Sequence, residues 1–127
     1  MYAIGEISDL IEAGGLGTSG VDIFEYSAPA EVQSCIIVYP SNDPPIIDPQ
    51  TPFYFKGKFQ TIVRNASMEN GIAICKELAT ILTLNNIETP TITIKQCRPL
   101  FQPRVYRRSE AGILEFSVTY QIHYVEK

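Results

Sequence analysis

The sequence predicts an α+β protein: a two-layer sandwich in which a mainly antiparallel sheet of about four to five strands carries two helices on one face. Three observations lead there. Phe53 to Leu82 reads as a strand that runs straight into a helix. Leu114 to Tyr124 alternates apolar and polar residues without a break. The other patterns complete the order helix, strand, strand, strand, helix, strand, strand. Gathering those strands into one sheet, with both helices on one side, gives each apolar face a partner.

In the first stretch, Phe53, Phe55, Phe59 and Val63 fall on one side, and Tyr54, Lys56, Lys58, Gln60 and Arg64 on the other. Such alternation marks a half-buried strand. Asn65-Ala66-Ser67 turns the corner with residues that favour helix starts. Its match to a glycosylation acceptor is one of form only, and a helix cap is the better reading. Met68, Ile72, Cys75, Ala79 and Leu82 then recur at helical spacing, with Ile74, Leu78 and Ile81 widening the stripe.

The chain begins with a helix over about Tyr2 to Glu12, with Ile4, Ile7, Leu10 and Ile11 on one face. Gly14-Gly15 ends it, and the run to Gly20 is a connection. That glycine-rich run is not a phosphate loop, because it lacks the Lys-Ser/Thr ending and follows no buried strand. Val21 to Tyr26 is a short strand, broken by Ser27-Ala28-Pro29-Ala30. Glu31 to Tyr39 is the next. Its apolar run from Cys35 to Tyr39 suggests burial on both faces, inside the sheet or against a neighbouring subunit. Residues 40–52 carry Pro40, Pro44, Pro45, Pro49 and Pro52 and read as an extended loop insertion. Within it Ile46 and Ile47 lack a local apolar partner, so they tuck onto their own domain or dock onto another chain. Asn85-Asn86 is a turn, Thr91 to Cys97 a strand, and Pro99 and Pro103 bracket an irregular stretch. Ser109-Glu110-Ala111-Gly112 turns into the last strand. There Leu114, Phe116, Val118, Tyr120, Ile122 and Tyr124 face one way, and Glu115, Ser117, Thr119, Gln121 and His123 the other.

At 127 residues the chain is long enough for one domain spanning 1–127 and too short for two comfortable ones. Its net charge of -4 argues against general nucleic-acid binding. No apolar run approaches the ~20 residues of a membrane helix. Met1 to Glu6 lacks a basic region followed by an apolar one, so the expectation is no signal peptide and synthesis in a cytosol. Cys35, Cys75 and Cys97 are odd in number, form no CxxC pair and sit in apolar patterns, which predicts buried free thiols. With one histidine beside them, they do not suggest a zinc site.

Catalytic signatures are missing. His123 lies on the polar face of the last strand, away from any nucleophile motif. Asp43 and Asp48 share a loop with prolines rather than the alternating acids of a calcium loop. No cofactor and no metal is expected. The most suggestive feature is basic. Arg98, Arg104, Arg107 and Arg108 cluster in an acidic chain, as a solvated hairpin connection or as a docking surface for acidic neighbours, copies of itself included. Arginine suits such contacts because its planar fork pairs with carboxylates. Lys56, Lys58 and Arg64 could extend the surface.

Three stretches resemble a known family: Val21 to Pro29, Phe59 to Asn65 with the helix that follows it, and Arg107 to Val118. They are similar to the minor capsid and tail-terminator (tail-completion) proteins of tailed bacteriophages. The likeness covers nearly the whole chain, although residues 40–52 exceed the family's minimal pattern. It implies an α+β virion protein without a catalytic site. It also implies a homo-oligomeric ring, commonly hexameric, at the head-proximal end of the tail. Such a ring stops polymerisation of the tail-tube protein and offers a surface to the head's connector, after assembly in the bacterial host cytoplasm. Lys56, Lys58, Arg64, Arg98, Arg104, Arg107, Arg108, Ile46 and Ile47 would then be interface residues. A head-closure role, a monomeric ligand- or peptide-binding module, and an enzyme using the arginines on an anionic substrate are the competing readings.

Overall fold

A computed structural model describes residues 4–29, 31–41, 44–107 and 112–127. Among them the elements run α1 (Ile4–Ala13), β1 (Ile23–Glu25), β2 (Cys35–Pro40), β3 (Ile46–Ile47), β4 (Tyr54–Asn65), α2 (Met68–Leu82), β5 (Leu84–Glu88), β6 (Ile92–Pro99), β7 (Arg104–Arg107) and β8 (Leu114–Glu126). The expected strand-to-helix corner is formed by side chains that satisfy exposed amides. Asn65 Oδ1 accepts from the Ser67 amide at 2.9 Å, and Ser67 Oγ caps α2 by accepting from the Asn70 amide at 3.2 Å. Such a cap stabilises a helix by about 1 kcal/mol.

The sheet follows the order β1-β2-β4-β8-β6-β5. Its centre is the antiparallel pair β4 and β8, in register from Tyr54↔Val125 to Asn65↔Leu114. Each long strand is flanked by two shorter ones end to end. β2 and β3 lie along β4, and β6 and β7 along β8. The described strands number eight, more than the four or five expected, because β3 and β7 form within or beside the proline-bearing stretches and β5 forms where a turn was expected. β1 and β2 are the parallel pair in an otherwise antiparallel sheet.

Both helices pack on one face of the sheet. Ile4, Ile7 and Ile11 of α1, with Cys75, Leu78 and Leu82 of α2, meet Phe59, Val63, Phe116, Tyr120, Ile122 and Tyr124. Phe59 stacks on Tyr120 with ring centroids 5.1 Å apart, and Phe55 on Tyr124 at 5.2 Å. Such pairs contribute about 0.5–1.5 kcal/mol each beyond the area they bury. Gly71 lets α2 approach closely, since a Cβ there would stand 2.1 Å from a Phe116 ring carbon. The three cysteines are free and buried.

A buried carboxylate ties the two ends of this layer together. Glu6 on α1 accepts from Thr89 Oγ1 at 2.7 Å, the Thr91 amide at 2.9 Å and Thr91 Oγ1 at 2.7 Å. It thereby locks the helix onto the β5–β6 turn.

Several local expectations change. Phe53 precedes β4 and is 69% exposed, so the core face of this strand starts at Phe55. The proline-rich stretch holds β3, which pairs Ile46 with Lys56 and Ile47 with Phe55. Asn85-Asn86 is part of β5 and not a turn. Asn86 takes a left-handed φ of 55°, which asparagine tolerates, and pairing resumes at Ile87. The irregular stretch after Pro99 ends at Pro103, and Arg104 opens β7. β1 and β2 are shorter than expected. The double burial of β2 has its cause inside the sheet: Ile36 and Val38 join the core, while Cys35 and Ile37 are buried on the other face. The start of the first helix and the turn before β8 fall partly outside the described residues.

Candidate interaction surface

Among the described residues no helix covers the other sheet face, which is buried at Cys35 and Ile37, and strand alternation delivers the basic residues to it. Three cross-strand rows define the surface. Lys58, Gln121 and Arg98 lie abreast on β4, β8 and β6. Lys56, His123 and Gln96 form the next row. Ile62, Ser117 and Arg104 form another toward the β7 end. Lys56, Lys58, Arg98 and Arg104 are all exposed, so sequence neighbours and distant residues converge on one face. Arg98 donates to Gln121 Oε1 from Nε at 3.4 Å and Nη2 at 3.3 Å, which holds the guanidinium against the sheet. Gln60 bonds the Ser117 hydroxyl in the row between. Arg104 stacks over Phe101, its guanidinium carbon 4.4 Å from the ring centre.

His123 sits between the cations. Burial, then the charges of Lys56 and Arg98, lowers its pKa from the ordinary 6.5. At neutral pH the ring is therefore uncharged. It meets Tyr54 edge-on, with Nδ1 3.4 Å from the tyrosine hydroxyl.

Arg64 departs from the expected surface. It lies on the bare face but is only 7% exposed. Its Nε donates to Glu115 Oε2 at 3.2 Å, and Nη1 donates to the carbonyls of Pro29 at 3.0 Å and Val32 at 3.4 Å. The side chain clamps the segment after β1 over this end of the sheet, and its charge is matched within the chain. Arg107 lies in β7 opposite Leu114. Arg108 falls outside the described residues.

Ile46 and Ile47 do not tuck away. They are 69% and 56% exposed on opposite faces of β3, and Phe53 is 69% exposed in the turn that follows. The β3–β4 turn is internally fastened. Asp48 Oδ1 accepts from the amides of Gln50 at 2.9 Å and Thr51 at 3.2 Å, and the Asp48 amide donates to the Tyr54 carbonyl at 2.9 Å. Asp48 also lies 3.7 Å from Lys56 Nζ. The exposed Phe53 was missed because its alternation with Phe55 reads as core. The Asp-Pro-Gln-Thr run, whose aspartate bonds the backbone ahead of it, was the available signal for a tight turn.

The surface over the helices has the opposite sign. Asp9 and Glu12 on α1 and Glu69 and Glu77 on α2 are exposed there, against Lys76 alone on these helices. Burial pushes the Cys75 thiol up to about 11 and the Cys97 thiol to about 12, so neither forms a thiolate nucleophile at neutral pH. Among the described residues no group of His, Cys, Asp and Glu is placed to hold a metal ion, and no helix is long and apolar enough to cross a membrane.

A two-layer α+β chain with a basic bare sheet, an acidic helical layer and an exposed apolar hairpin has the surface of a protein that works through contacts with other chains. Residues 10–126 match the family model described as bacteriophage tail terminator protein, and the chain belongs to that family. It is a structural protein of the phage tail. Over the full length of both chains it is also similar to a chain in the structure of the virion of the native gene transfer agent (GTA) particle. The TM-score is 0.74 at 12% identity, a likeness of fold. Comparison with curated proteins finds no match.

Proposed function

We propose that this single-domain protein forms a homo-oligomeric ring, a hexamer, at the head-proximal end of the phage tail. The ring ends polymerisation of the tail-tube protein and joins the tail to the head's connector. It is assembled in the bacterial cytoplasm and remains in the neck of the virion. The chain performs no catalysis in this role and needs no cofactor. The observation that carries the reading is the family match over residues 10–126.

The physics of the surface supports it. A ring is built from a heterologous contact, in which one patch meets a different patch on the next copy. Lys56, Lys58, Arg98 and Arg104 on one face and Asp9, Glu12, Glu69 and Glu77 on the other are patches of opposite sign. Arg107 and Arg108 are further basic residues of the sequence. Arg64 stands toward one end of the same face, where it donates to the carbonyls of Pro29 and Val32. Exposed ion pairs contribute only about 0.2–1 kcal/mol each, so they steer and orient the approach. Ile46 and Ile47 supply apolar area. A stable contact needs about 800 Å² per partner, a modest part of the 7185 Å² surface.

Electron microscopy of phage lacking this protein tests the role. Tail tubes of uncontrolled length, unattached to heads, are expected. Tails of normal length joined to heads would overturn it. Normal-length tails without heads would favour a head-closure role.

A further inference from the structure

The exposed apolar side chains gather on a preorganised hairpin. Ile46 and Ile47 project from opposite faces of β3, Ile46 abreast of Lys56 and Ile47 abreast of Phe55, and Phe53 projects from the turn that Asp48 fastens to the backbone. Pro44, Pro45, Pro49 and Pro52 restrict the same segment. A segment this fixed loses little conformational freedom on docking. From Pro44 to Phe53 it carries Asp48 and no basic residue, and Asp48 lies 3.7 Å from Lys56 Nζ on β4.

A receptor of matching chemistry lies across the sheet. A groove of about 330 Å³ runs between α2 and the 99–103 segment. Cys75, Ala79, Val118, Pro99, Phe101 and Pro103 line it. Lys76 borders it, and Arg104 stacks over its phenylalanine. The groove is thus apolar with basic margins, and the hairpin is apolar with an acidic turn. The hairpin flanks β4 on the β2 side, whereas the 99–103 segment links β6 to β7 on the far side of β8. A contact between them joins one copy to the next.

We infer that the β3–β4 hairpin of one copy seats Ile47 and Phe53 in the α2/99–103 groove of the next copy, with Asp48 toward Lys76 and Arg104. The inference rests on the ring reading and names its contact. A knob and a groove on different sides of one chain make the heterologous contact that a closed ring requires.

The test uses the full chain in three preparations, with molar mass read by light scattering after size exclusion. One carries Ile47→Asp with Phe53→Asp, one carries Ala79→Glu in the groove, and the third is their equimolar mixture. Far-UV circular dichroism checks the fold, and Thr80→Glu at an exposed groove position replaces Ala79→Glu if that variant does not fold. Each variant alone is expected to be monomeric. The mixture is expected to contain one-to-one heterodimers, because one partner keeps the groove and the other the knob. A monomeric mixture, or a variant that retains the unaltered oligomer, overturns the pairing and leaves a ring built by other contacts. A hairpin variant that keeps its oligomer but loses tail-tube binding overturns it in favour of the tube protein as occupant. If the unaltered chain stays monomeric even with tail tubes, the ring reading falls and the inference with it.

Discussion

Replacing Glu6 by alanine should loosen the whole helical layer, and the magnitude follows from three hydrogen bonds. The carboxylate accepts from Thr89 Oγ1, the Thr91 amide and Thr91 Oγ1, all within 2.9 Å. Hydrogen bonds to a charged group contribute about 1.5–3 kcal/mol each, but here they do not add. Thr89 Oγ1 keeps the Ile92 carbonyl as an acceptor at 3.1 Å, and Thr91 is exposed enough for water to replace its bonds. The expected loss is therefore about 3 kcal/mol. For a domain of this size that lowers the thermal midpoint by about 10 °C. Glu6→Gln keeps the shape and one acceptor oxygen, so its loss should be smaller. Circular dichroism during heating measures both. Hydrogen exchange at the Thr91 amide reports the site itself and should accelerate. A midpoint for Glu6→Ala within about 2 °C of the unaltered chain would refute the reasoning, because a loss of ~3 kcal/mol could not hide there.

The remaining expectations concern packing, protonation and charge. Gly71→Ala should destabilise despite a helix-propensity gain of about 1 kcal/mol, because its Cβ meets the buried Phe116 ring at 2.1 Å. Denaturant titration should show a net loss of about 1–2 kcal/mol, and an unchanged or higher midpoint would contradict the packing. His123 is the chain's single histidine, so its ring resonances are unambiguous in a nuclear magnetic resonance titration and should give a pKa below 6.5. Its folded pKa lies below the unfolded value, so the unfolded chain binds more protons between the two. Its contribution to stability is present above the unfolded pKa and is lost as pH falls from about 6.5 toward the folded pKa. His123→Gln should remove that component. Lys58→Glu with Arg98→Glu should leave the fold within about 0.5 kcal/mol, as exposed substitutions do. The pair should also weaken self-association and flatten its salt dependence in sedimentation experiments.

The long elements were legible because each carries its own period over many residues. β4, α2 and β8 repeat their apolar positions often enough that one exception, the exposed Phe53, does not hide the pattern. Of the short strands, β1 was expected, and β3, β5 and β7 were not. β3 has two residues and β7 four, and each exists because a longer strand beside it offers free backbone groups. β5 contains two asparagines, which locally read as a turn, yet β6 beside it holds the segment extended. The basic surface was half legible. Alternation placed Lys56 and Lys58 on one side of β4, but nothing in the sequence says that Arg98 lies in a row with Lys58 across β8. Arg64 has the same alternation as its neighbours. Only the placement of the Pro29 and Val32 carbonyls against it turns an expected surface arginine into a buried clamp.

The ring can be tested most directly by the molar mass of the purified chain in solution, measured by light scattering at several concentrations and salt levels. A closed ring should give a fixed multiple of the 14.2 kDa chain that does not grow with concentration, and added salt should weaken it as charge steering is screened. A chain that remains monomeric at every concentration, with tail tubes present as well as without them, would contradict the claim that it works by joining copies of itself.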